Sequence, residues 1–339
     1  MPDELCVACG ASMPPDFRFC ENCGHERGAP LAAAAPPVIP TRYLTSVDPA
    51  TRCPACGADE ASDGFCDSCG QRRPAGKNHT ELDLGAVAGV TDIGHRHHVN
   101  EDAIAIAVGS AVGGAVIGIV CDGVSSSSRA DTASHAAVAA AVPAMLDALE
   151  DGADPQTAME AGARSAQAAA ALVGGSMPGP NPPSCTFVSA IVTADQITVG
   201  WVGDSRAYWL PDGDDEPLQL TVDDSLATTL AAAGVTVHAI AENPHAGALM
   251  RWMGTDATDT EPHIKVLTPA GPGRVLVSSD GLFRYRPVVT DLAASVPKGP
   301  SLATAQSLVQ LALDEGGQDN VSVILIPYPL ELVKELGHG

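Results

Sequence analysis

Residues 100–123 read NEDAIAIAVGSAVGGAVIGIVCDG, two apolar stretches separated by a small-residue centre. Ala103–Val108 and Ala115–Cys121 are rich in β-branched residues, which is typical of buried strands. The uncharged run of 19 residues also has the length of a transmembrane helix. Acidic residues at both ends, Asp102 and Asp122, and the lack of a basic flank favour two strands joined by a hairpin.

Acidic residues recur at the ends of other apolar stretches. The five motifs are Asn100-Glu101-Asp102, Asp122-Gly123, Gly203-Asp204-Ser205-Arg206, Asp280-Gly281 and Asp319-Asn320, beside strands predicted at 103–108, 115–121, 196–202, 207–210, 274–279 and 321–326. Carboxylates gathered at one end of a sandwich repel each other unless a cation bridges them. Oxygen ligands without a matching His or Cys select Mg2+ or Mn2+ over zinc. The motifs therefore predict a divalent-ion site.

The charge of the chain is compatible with such a site. It has 41 Asp and Glu against 18 Lys and Arg, a net charge of −23. Residues 1–78 hold 10 acids and 7 bases (−3), and residues 79–339 hold 31 acids and 11 bases (−20). This balance excludes neither a solubilising surface nor a cation site, but it argues against nucleic-acid partners and against anionic membranes. Met1–Cys9 lacks the apolar core of a signal peptide, so we expect a cytoplasmic protein.

Eight of the ten cysteines form an internal repeat of C-x-x-C pairs, and each pair is followed by glycine. Two such knuckles can close a tetrahedral thiolate site with no open position, which is the structural kind of zinc site. The predicted ligands are Cys6, Cys9, Cys20 and Cys23 for one Zn2+, and Cys53, Cys56, Cys66 and Cys69 for a second. Four disulfides are the alternative, which a chain without an export signal disfavours. The units resemble tandem bacterial zinc ribbons, which more often recruit a protein partner than catalyse. Cys121 and Cys185 are expected to be buried thiols.

The five acidic motifs, in this order and spacing, resemble those of the PPM family of metal-dependent Ser/Thr phosphatases, which are similar to protein phosphatase 2C. Further matches are Gly94, Ser184-Cys185-Thr186, Asp223-Asp224-Ser225 and Leu249-Met250-Arg251. The resemblance covers roughly residues 79–327 and implies an α+β fold, a four-layer αββα sandwich of two antiparallel sheets flanked by helix pairs. Helices predicted at 129–150, 154–173, 292–296 and 301–314 would form the outer layers.

The predicted organisation has four parts. They are a first zinc ribbon (1–28), an Ala/Pro linker (29–48), a second zinc ribbon (49–74) and a PPM-type phosphatase domain (79–330).

The resemblance also implies an active site with two or three Mn2+ or Mg2+ ions. The implied roles are Asp122 as the bridging ligand, Asp280 and Asp319 on one ion, Glu101 and the Gly123 carbonyl on the other, Asp204 on a third ion, and Asp102 as the residue that holds a water. A hydroxide bridging two ions would attack the phosphorus atom in line, without a covalent phosphoenzyme.

Three departures from the family pattern stand out. His97 occupies the position of the phosphate-binding arginine, with Arg96 beside it, and either side chain is a candidate for that contact. Val124 stands where some members carry a histidine proposed as general acid. Ser125–Ser128 replaces the usual glycines and is expected to form a polar, mobile loop. For Arg206, a substrate contact and a structural ion pair are both open.

The sequence thus predicts a bacterial protein-serine/threonine phosphatase. Its substrates would be proteins phosphorylated by a bacterial Ser/Thr kinase in signalling, and the ribbons would recruit a protein partner. The alternative is a catalytically weak pseudophosphatase scaffold that acts through its zinc ribbons; His97 favours this alternative, whereas the retained metal ligands oppose it.

Overall fold

The structure, a computed structural model, describes residues 4–6, 11–14, 17–22, 26–27, 41–46, 61–62, 65–66, 68, 78–85, 87–109, 114–175 and 179–330. The chain divides into two compact units, Met1–Pro37 and Val38–Gly339.

The first unit contains a short antiparallel pair, β1 (Glu4–Leu5) and β2 (Ser12–Met13). Cys6, Cys20 and Met13 are buried together. Few apolar side chains are buried among the residues of this unit that the structure describes, and a core of that size stabilises little on its own.

The second unit contains the remaining sixteen strands and seven helices of the described chain. The strands are β3 (Arg42–Thr45), β4 (Ala61–Ser62), β5 (Phe65–Cys66), β6 (His79–Asp83), β7 (Ala88–Asp92), β8 (Ala103–Gly109), β9 (Ala115–Cys121), β10 (Ser184–Cys185), β11 (Phe187–Val192), β12 (Ile197–Val202), β13 (Arg206–Pro211), β14 (Leu218–Gln219), β15 (Met253–Gly254), β16 (His263–Leu267), β17 (Gly273–Ser278) and β18 (Val321–Tyr328). The helices are α1 (Ala130–Glu150), α2 (Pro155–Gly174), α3 (Leu226–Ala232), α4 (Val237–Ala241), α5 (Asp280–Phe283), α6 (Val289–Ser295) and α7 (Ser301–Asp314).

Two six-stranded sheets organise this unit. Their strand orders are β16-β12-β11-β9-β8-β3 and β14-β13-β17-β18-β7-β6, and every neighbouring pair is antiparallel. The predicted hairpin is confirmed, since β8 and β9 pair from Ala103↔Cys121 to Gly109↔Ala115.

The helices cover the outer faces of the two sheets. The faces that meet are joined by a cluster that includes Ile104, Val120 and Ile324. On the first sheet α1 and α2 pack through residues such as Met145 and Met159, and on the second a separate cluster joins α5, α6 and α7 to the strands. This arrangement confirms the predicted α+β sandwich of two antiparallel sheets flanked by helices.

By length and composition, α1 is the one described helix that could cross a membrane. In the structure its residues Val138, Val142 and Met145 are buried against α2 and the first sheet. α1 is therefore buried in the way that is typical of a helix in the core of a folded domain.

One strand lies where the sequence predicted a linker. Arg42–Thr45, inside the predicted linker 29–48, forms β3 and pairs with β8 at the edge of the first sheet. The next residue, Ser46, is buried and continues the contact: its N–H donates to the Ile104 carbonyl, and its Oγ accepts from the Ile104 N–H, both at 2.9 Å. The Ala/Pro composition typical of a linker ends at Pro40, and Arg42–Thr45, which follows it, contains the strand-favouring residues Tyr43 and Thr45.

Candidate active site

Five strand ends bring acidic side chains together at one end of the sandwich. Burial raises the pKa of Asp122 well above its ordinary value, and the nearby carboxylates of Asp102, Asp280, Asp204 and Asp319 raise it further. These five are residues that the sequence predicted for the site. Such a group of carboxylates disfavours its own ionisation unless positive charge lies among them.

Close backbone contacts hold these strand ends together. The N–H of Gly123 donates to the Glu101 carbonyl at 3.1 Å, and a Cβ at Gly123 would lie 2.7 Å from that oxygen. A Cβ at Gly281 would lie 2.0 Å from the Asn320 carbonyl oxygen. Because real Cβ atoms do not approach so closely, glycine at these positions permits the backbone after Asp122 to pack against Glu101, and the backbone after Asp280 to pack against Asn320.

Asn320 ties two of the motifs to each other. Its Oδ1 accepts a hydrogen bond from the Glu101 N–H at 2.8 Å, and its Nδ2 donates to the Ile93 carbonyl at 2.8 Å. Burial raises the pKa of the Glu101 carboxyl, while nearby His97 opposes the shift. In the Asp319-Asn320 motif, the Asn320 amide therefore positions the backbone at Glu101 and Ile93, whereas Asp319 supplies the carboxylate.

Asp102 is buried and only half of its carboxylate has a partner. Its Oδ2 accepts from the hydroxyls of Ser279 and Ser322, both at 2.7 Å. Its Oδ1 is buried without a hydrogen-bond partner in the described structure. Burial raises the Asp102 pKa to about 7, although the two hydroxyls oppose the shift. The motifs did not predict this role for either serine, and the available signal is a polar residue at or next to the end of an apolar strand.

A hydroxyl pair supports the loops that carry Asp122 and Asp204. The Asp122 N–H donates to Thr186 Oγ1 at 3.0 Å, and this oxygen lies 2.7 Å from Ser205 Oγ. Burial and then the charge of Asp280 raise the Asp204 pKa to about 7. Ser205, the middle of the Gly-Asp-Ser-Arg motif, thus links two acidic loops.

Arg284 is a third residue of the site that the sequence motifs did not predict. Its guanidinium donates to Asp280 Oδ2 at 3.1 Å and to Asp319 Oδ2 at 2.9 Å. Burial raises the pKa of Asp280, the nearby Asp319 raises it further, and Arg284 opposes both effects. The side chain is 44% exposed, so it lies at the solvent side of the carboxylates. The sequence does place Arg284 four residues after Asp280, a spacing at which two side chains on a helix can form an ion pair.

The structure separates the two candidates for the phosphate contact. His97 Nε2 lies 3.1 Å from Asp319 Oδ1, and its side chain is 28% exposed. Arg96 is exposed and has no side-chain contact to the acidic motifs in the described part of the chain. His97 is therefore the one at the carboxylate cluster.

The donor set suits a hard divalent ion, but its side chains are not gathered around one point. Within the described ranges, no three His, Cys, Asp or Glu side chains are arranged to hold a metal ion as they stand. Arg284 lies between two of the predicted ligands instead. The unpartnered Asp102 Oδ1 and the mutual repulsion around Asp122 are nevertheless what a cation would satisfy. The residues therefore fit Mg2+ or Mn2+ by type, once the Arg284 side chain turns away.

The Ser125–Ser128 loop is hydrogen-bonded to the segment before β10, and its predicted mobility stays a prediction. Asn181 Nδ2 donates to the Ser126 carbonyl at 3.0 Å, and the Ser128 N–H donates to the Asn181 carbonyl at 3.0 Å. Ser127 Oγ accepts from the Ser184 N–H at 3.3 Å. Serine side chains and turns satisfy this backbone locally.

Arg206 has a structural partner. It pairs with both carboxylate oxygens of Asp223, at 2.8 and 2.7 Å, and lies 3.8 Å above the ring of Phe283. Asp224, the next residue, accepts from the Gly203 N–H at 2.9 Å and meets Arg251 at 3.4 Å. These pairs anchor the segment 223–254 to the acidic loop.

The predicted zinc ligands are only partly described. Cys6 and Cys20 are buried, and Cys66 lies in the short pair of β5 with β4. Cys9, Cys23, Cys53, Cys56 and Cys69 lie outside the described residues. The zinc sites stay a prediction.

Two sequence families match the chain. The profile described as Protein phosphatase 2C matches residues 93–317, and the profile described as Double zinc ribbon matches residues 6–70.

Characterised relatives match parts of the chain. The serine/threonine protein phosphatase PstP of Mycobacterium tuberculosis strain H37Rv is 29% identical over 178 residues, 52% of this chain and 34% of the relative. The serine/threonine phosphatase stp of Listeria innocua is 30% identical over 142 residues, 42% of this chain and 55% of the relative. The match thus spans about a third to just over half of these relatives' length.

Solved structures have the same fold. The Mycobacterium tuberculosis phosphatase PstP/Ppp superposes with a TM-score of 0.57 at 27% identity, covering 70% of this chain and 96% of that one. The PstP catalytic domain in complex with two manganese ions has a TM-score of 0.55 at 26% identity, covering 71% and 97%. Stp1 of Staphylococcus aureus has a TM-score of 0.59 at 22% identity, covering 73% and 97%.

Proposed function

The chain belongs to the protein phosphatase 2C family, and from this premise we propose that it hydrolyses phosphoserine and phosphothreonine esters on proteins with the help of divalent metal ions. The observation that carries the proposal is the buried Asp122 carboxyl with four other carboxylates around it. A group of this kind holds cations, and cations are what a doubly charged phosphate ester requires at its site of cleavage.

Two or three Mn2+ or Mg2+ ions would be held by the side chains of Glu101, Asp122, Asp204, Asp280 and Asp319 and by the Gly123 carbonyl. When bound, such ions lower the pKa of a shared water, so that a hydroxide is available near pH 7, and they neutralise the phosphoryl charge. The related PstP catalytic domain was solved in complex with two manganese ions, which supports Mn2+ as the first ion to test.

Asp102 is proposed to orient the attacking water. Its Oδ2 is occupied by the Ser279 and Ser322 hydroxyls, whereas its Oδ1 is buried without a partner. The two serines therefore fix the orientation of the carboxylate and leave one oxygen to accept a proton. A carboxylate oxygen held in this way can accept a hydrogen bond and a proton from that water.

His97 and Arg284 are proposed to bind the phosphate oxygens. They approach Asp319 from two sides, His97 at Oδ1 and Arg284 at Oδ2. Both are donors to oxygen anions, and the guanidinium is the geometry best matched to phosphate. Arg284 would thus supply the arginine that position 97 lacks.

We propose that the substrates are proteins phosphorylated by a bacterial Ser/Thr kinase, since the relatives are bacterial Ser/Thr phosphatases. The two zinc ribbons, with one structural Zn2+ each, would recruit a protein partner in the cytoplasm. The ribbon segment matches the double zinc ribbon family, which supports zinc but names no partner.

A phosphate-release assay tests the activity. The full chain is incubated with a phosphothreonine peptide and Mn2+, with EDTA, and as Asp280→Asn with Mn2+. Of these three samples, only the unmodified protein with Mn2+ is expected to release phosphate. Asp214→Asn, which removes an exposed carboxylate elsewhere, is the matched control and should retain turnover. Turnover that persists in EDTA or in Asp280→Asn would contradict the proposal.

One observation favours the pseudophosphatase scaffold as a second candidate. Arg284 already neutralises Asp280 and Asp319, and His97 stands where the family has arginine. A scaffold of this kind would bind Mn2+ weakly and would not turn over p-nitrophenyl phosphate. Calorimetric titration with Mn2+ beside that assay distinguishes the two candidates.

A further inference from the structure

A cavity begins two residues after Asp122, at Val124. It has a volume of about 390 Å³ and lies between the Ser125–Ser128 loop, the segment before β10 and the segment that precedes and follows β15. The lining residues that matter here are Ser126, Ser127, Asn181, Leu249, Trp252 and Asp256. We refer to it as the flanking pocket.

The flanking pocket opens close to the acidic residues. Val124, which also lines it, follows Asp122 by two residues, so the pocket begins within about 7 Å of the Asp122 backbone. An extended peptide advances about 3.3 Å per residue. A phosphorylated residue at the carboxylates would therefore leave a residue one or two positions away at this pocket.

Both walls of the pocket are held in place. On one side Asn181 is hydrogen-bonded to the Ser126 and Ser128 backbone. On the other side Gly254 exchanges two hydrogen bonds of 2.9 Å with the side chain of Gln167 on α2. Loop walls braced in this way form a pocket of defined shape.

The chemistry of the pocket is that of a receptor for a cation. Among the described residues that line it, Asp256 is the one charged side chain, and none is Lys, Arg or His. The indole N–H of Trp252 donates to Asp256 Oδ1 at 2.9 Å, which orients the carboxylate. Leu249 and Trp252 offer apolar surface to an aliphatic stem, and an indole face attracts a guanidinium or ammonium group.

We propose that the flanking pocket binds a Lys or Arg side chain next to the phosphorylated residue of a protein substrate. This inference rests on the proposed phosphatase function and adds a substrate preference for basic sequences. The surrounding charge supports it, since residues 79–339 carry 31 acids and 11 bases. The preference resides in Asp256 and Trp252, which contact the flanking residue and not the phosphate.

The test compares two phosphothreonine peptides that differ at one neighbouring residue, Arg or its uncharged analogue citrulline. For each peptide, kcat/KM is measured with Mn2+, and binding is measured by fluorescence anisotropy. The wild-type chain is expected to prefer the Arg peptide about threefold to fivefold, as an exposed charge pair allows. Asp256→Asn should bring the ratio to about one, and Asp256→Lys should favour a peptide with Glu at that position.

Asp214→Asn is the matched control, because it removes an exposed carboxylate that does not line the pocket, and it should retain the wild-type ratio. An unchanged ratio in both Asp256 variants overturns the inference. Absence of p-nitrophenyl phosphate turnover by the wild-type chain overturns the proposed phosphatase function instead. In that case the anisotropy ratio still decides whether the pocket selects a basic neighbour.

Discussion

The guanidinium of Arg284 lies 2.9 Å from Asp319 Oδ2, and the same nitrogen lies 3.1 Å from Asp280 Oδ2. A cationic side chain thus bridges two carboxylates that a divalent ion would need. The two cations compete for the same oxygens, so the position of Arg284 is linked to metal affinity.

Arg284→Gln should therefore bind Mn2+ more tightly. Because no guanidinium must be displaced, we expect a gain of about three- to tenfold, the size of a partly exposed charge contact. Isothermal titration calorimetry measures it. The KM for p-nitrophenyl phosphate should rise in the same variant, because the phosphate loses a donor.

Arg286→Gln is the matched control. Arg286 pairs with Glu315, outside the acidic motifs, so its loss should leave Mn2+ affinity unchanged. Equal or weaker Mn2+ binding by Arg284→Gln would contradict the competition.

Gly281→Ala should disrupt the site through the backbone. The added Cβ would lie 2.0 Å from the Asn320 carbonyl oxygen, so the strand ends that carry Asp280 and Asp319 must separate. We expect a loss of about 2 to 3 kcal/mol in the free energy of unfolding together with weaker Mn2+ binding. Urea unfolding followed by tryptophan fluorescence measures the loss, since Trp201, Trp209 and Trp252 all lie in the second unit. Gly213→Ala, where a Cβ meets open space, is the control, and equal stability of the two variants would refute the argument.

The sequence was most informative where one local pattern decides the structure. Apolar runs bounded by acids placed β8 and β9 and the acidic residues at the strand ends, because a strand that is buried on both faces appears in the sequence as an unbroken apolar run. Arg284 and Ser322 could not be placed in the same way. Arg284 is 35 residues from its partner Asp319, and Ser322 is 220 residues from its partner Asp102. These contacts therefore depend on how the sheets pack.

Stability without divalent ions should fall as pH rises. Burial raises the folded-state pKa of Asp204 to about 7 from an ordinary value of 3.8. Between these values the folded state binds more protons than the unfolded state, so the free energy of unfolding decreases from pH 4 to pH 7. Urea unfolding in EDTA across this range should show the decline.

In Asp204→Asn, the decrease in the free energy of unfolding between pH 4 and pH 7 should be smaller by on the order of 2 kcal/mol, because the amide does not titrate. Asp214→Asn, an exposed position, should leave the slope unchanged. If the free energy of unfolding of Asp204→Asn fell with pH as steeply as that of the unmodified chain, Asp204 would not be the group responsible for the decline.

The cysteine repeat predicts two zinc ions per chain. Elemental analysis after dialysis should find two zincs that are retained while manganese exchanges, because closed thiolate sites hold zinc tightly. The Cys20→Ser variant and the Cys66→Ser variant should each retain one zinc ion instead of two. Cys121→Ser, a buried cysteine beside Cys185 in the second unit, should keep both. Zinc that stays at two in Cys20→Ser, or is absent from the unmodified chain, would refute the ribbon assignment.

Ser46 tests the strand that replaced part of the predicted linker. Its buried Oγ accepts from the Ile104 N–H at 2.9 Å, so Ser46→Ala leaves that donor without a partner inside the sheet edge. Such a loss costs about 1 to 3 kcal/mol, and urea unfolding by tryptophan fluorescence should show it. Ser307→Ala, an exposed serine on α7 whose hydroxyl bonds to its own helix, is the matched control and should change little. A linker would tolerate the Ser46 change; equal stability of the two variants would mean that residues 41–46 are not part of the cooperative fold.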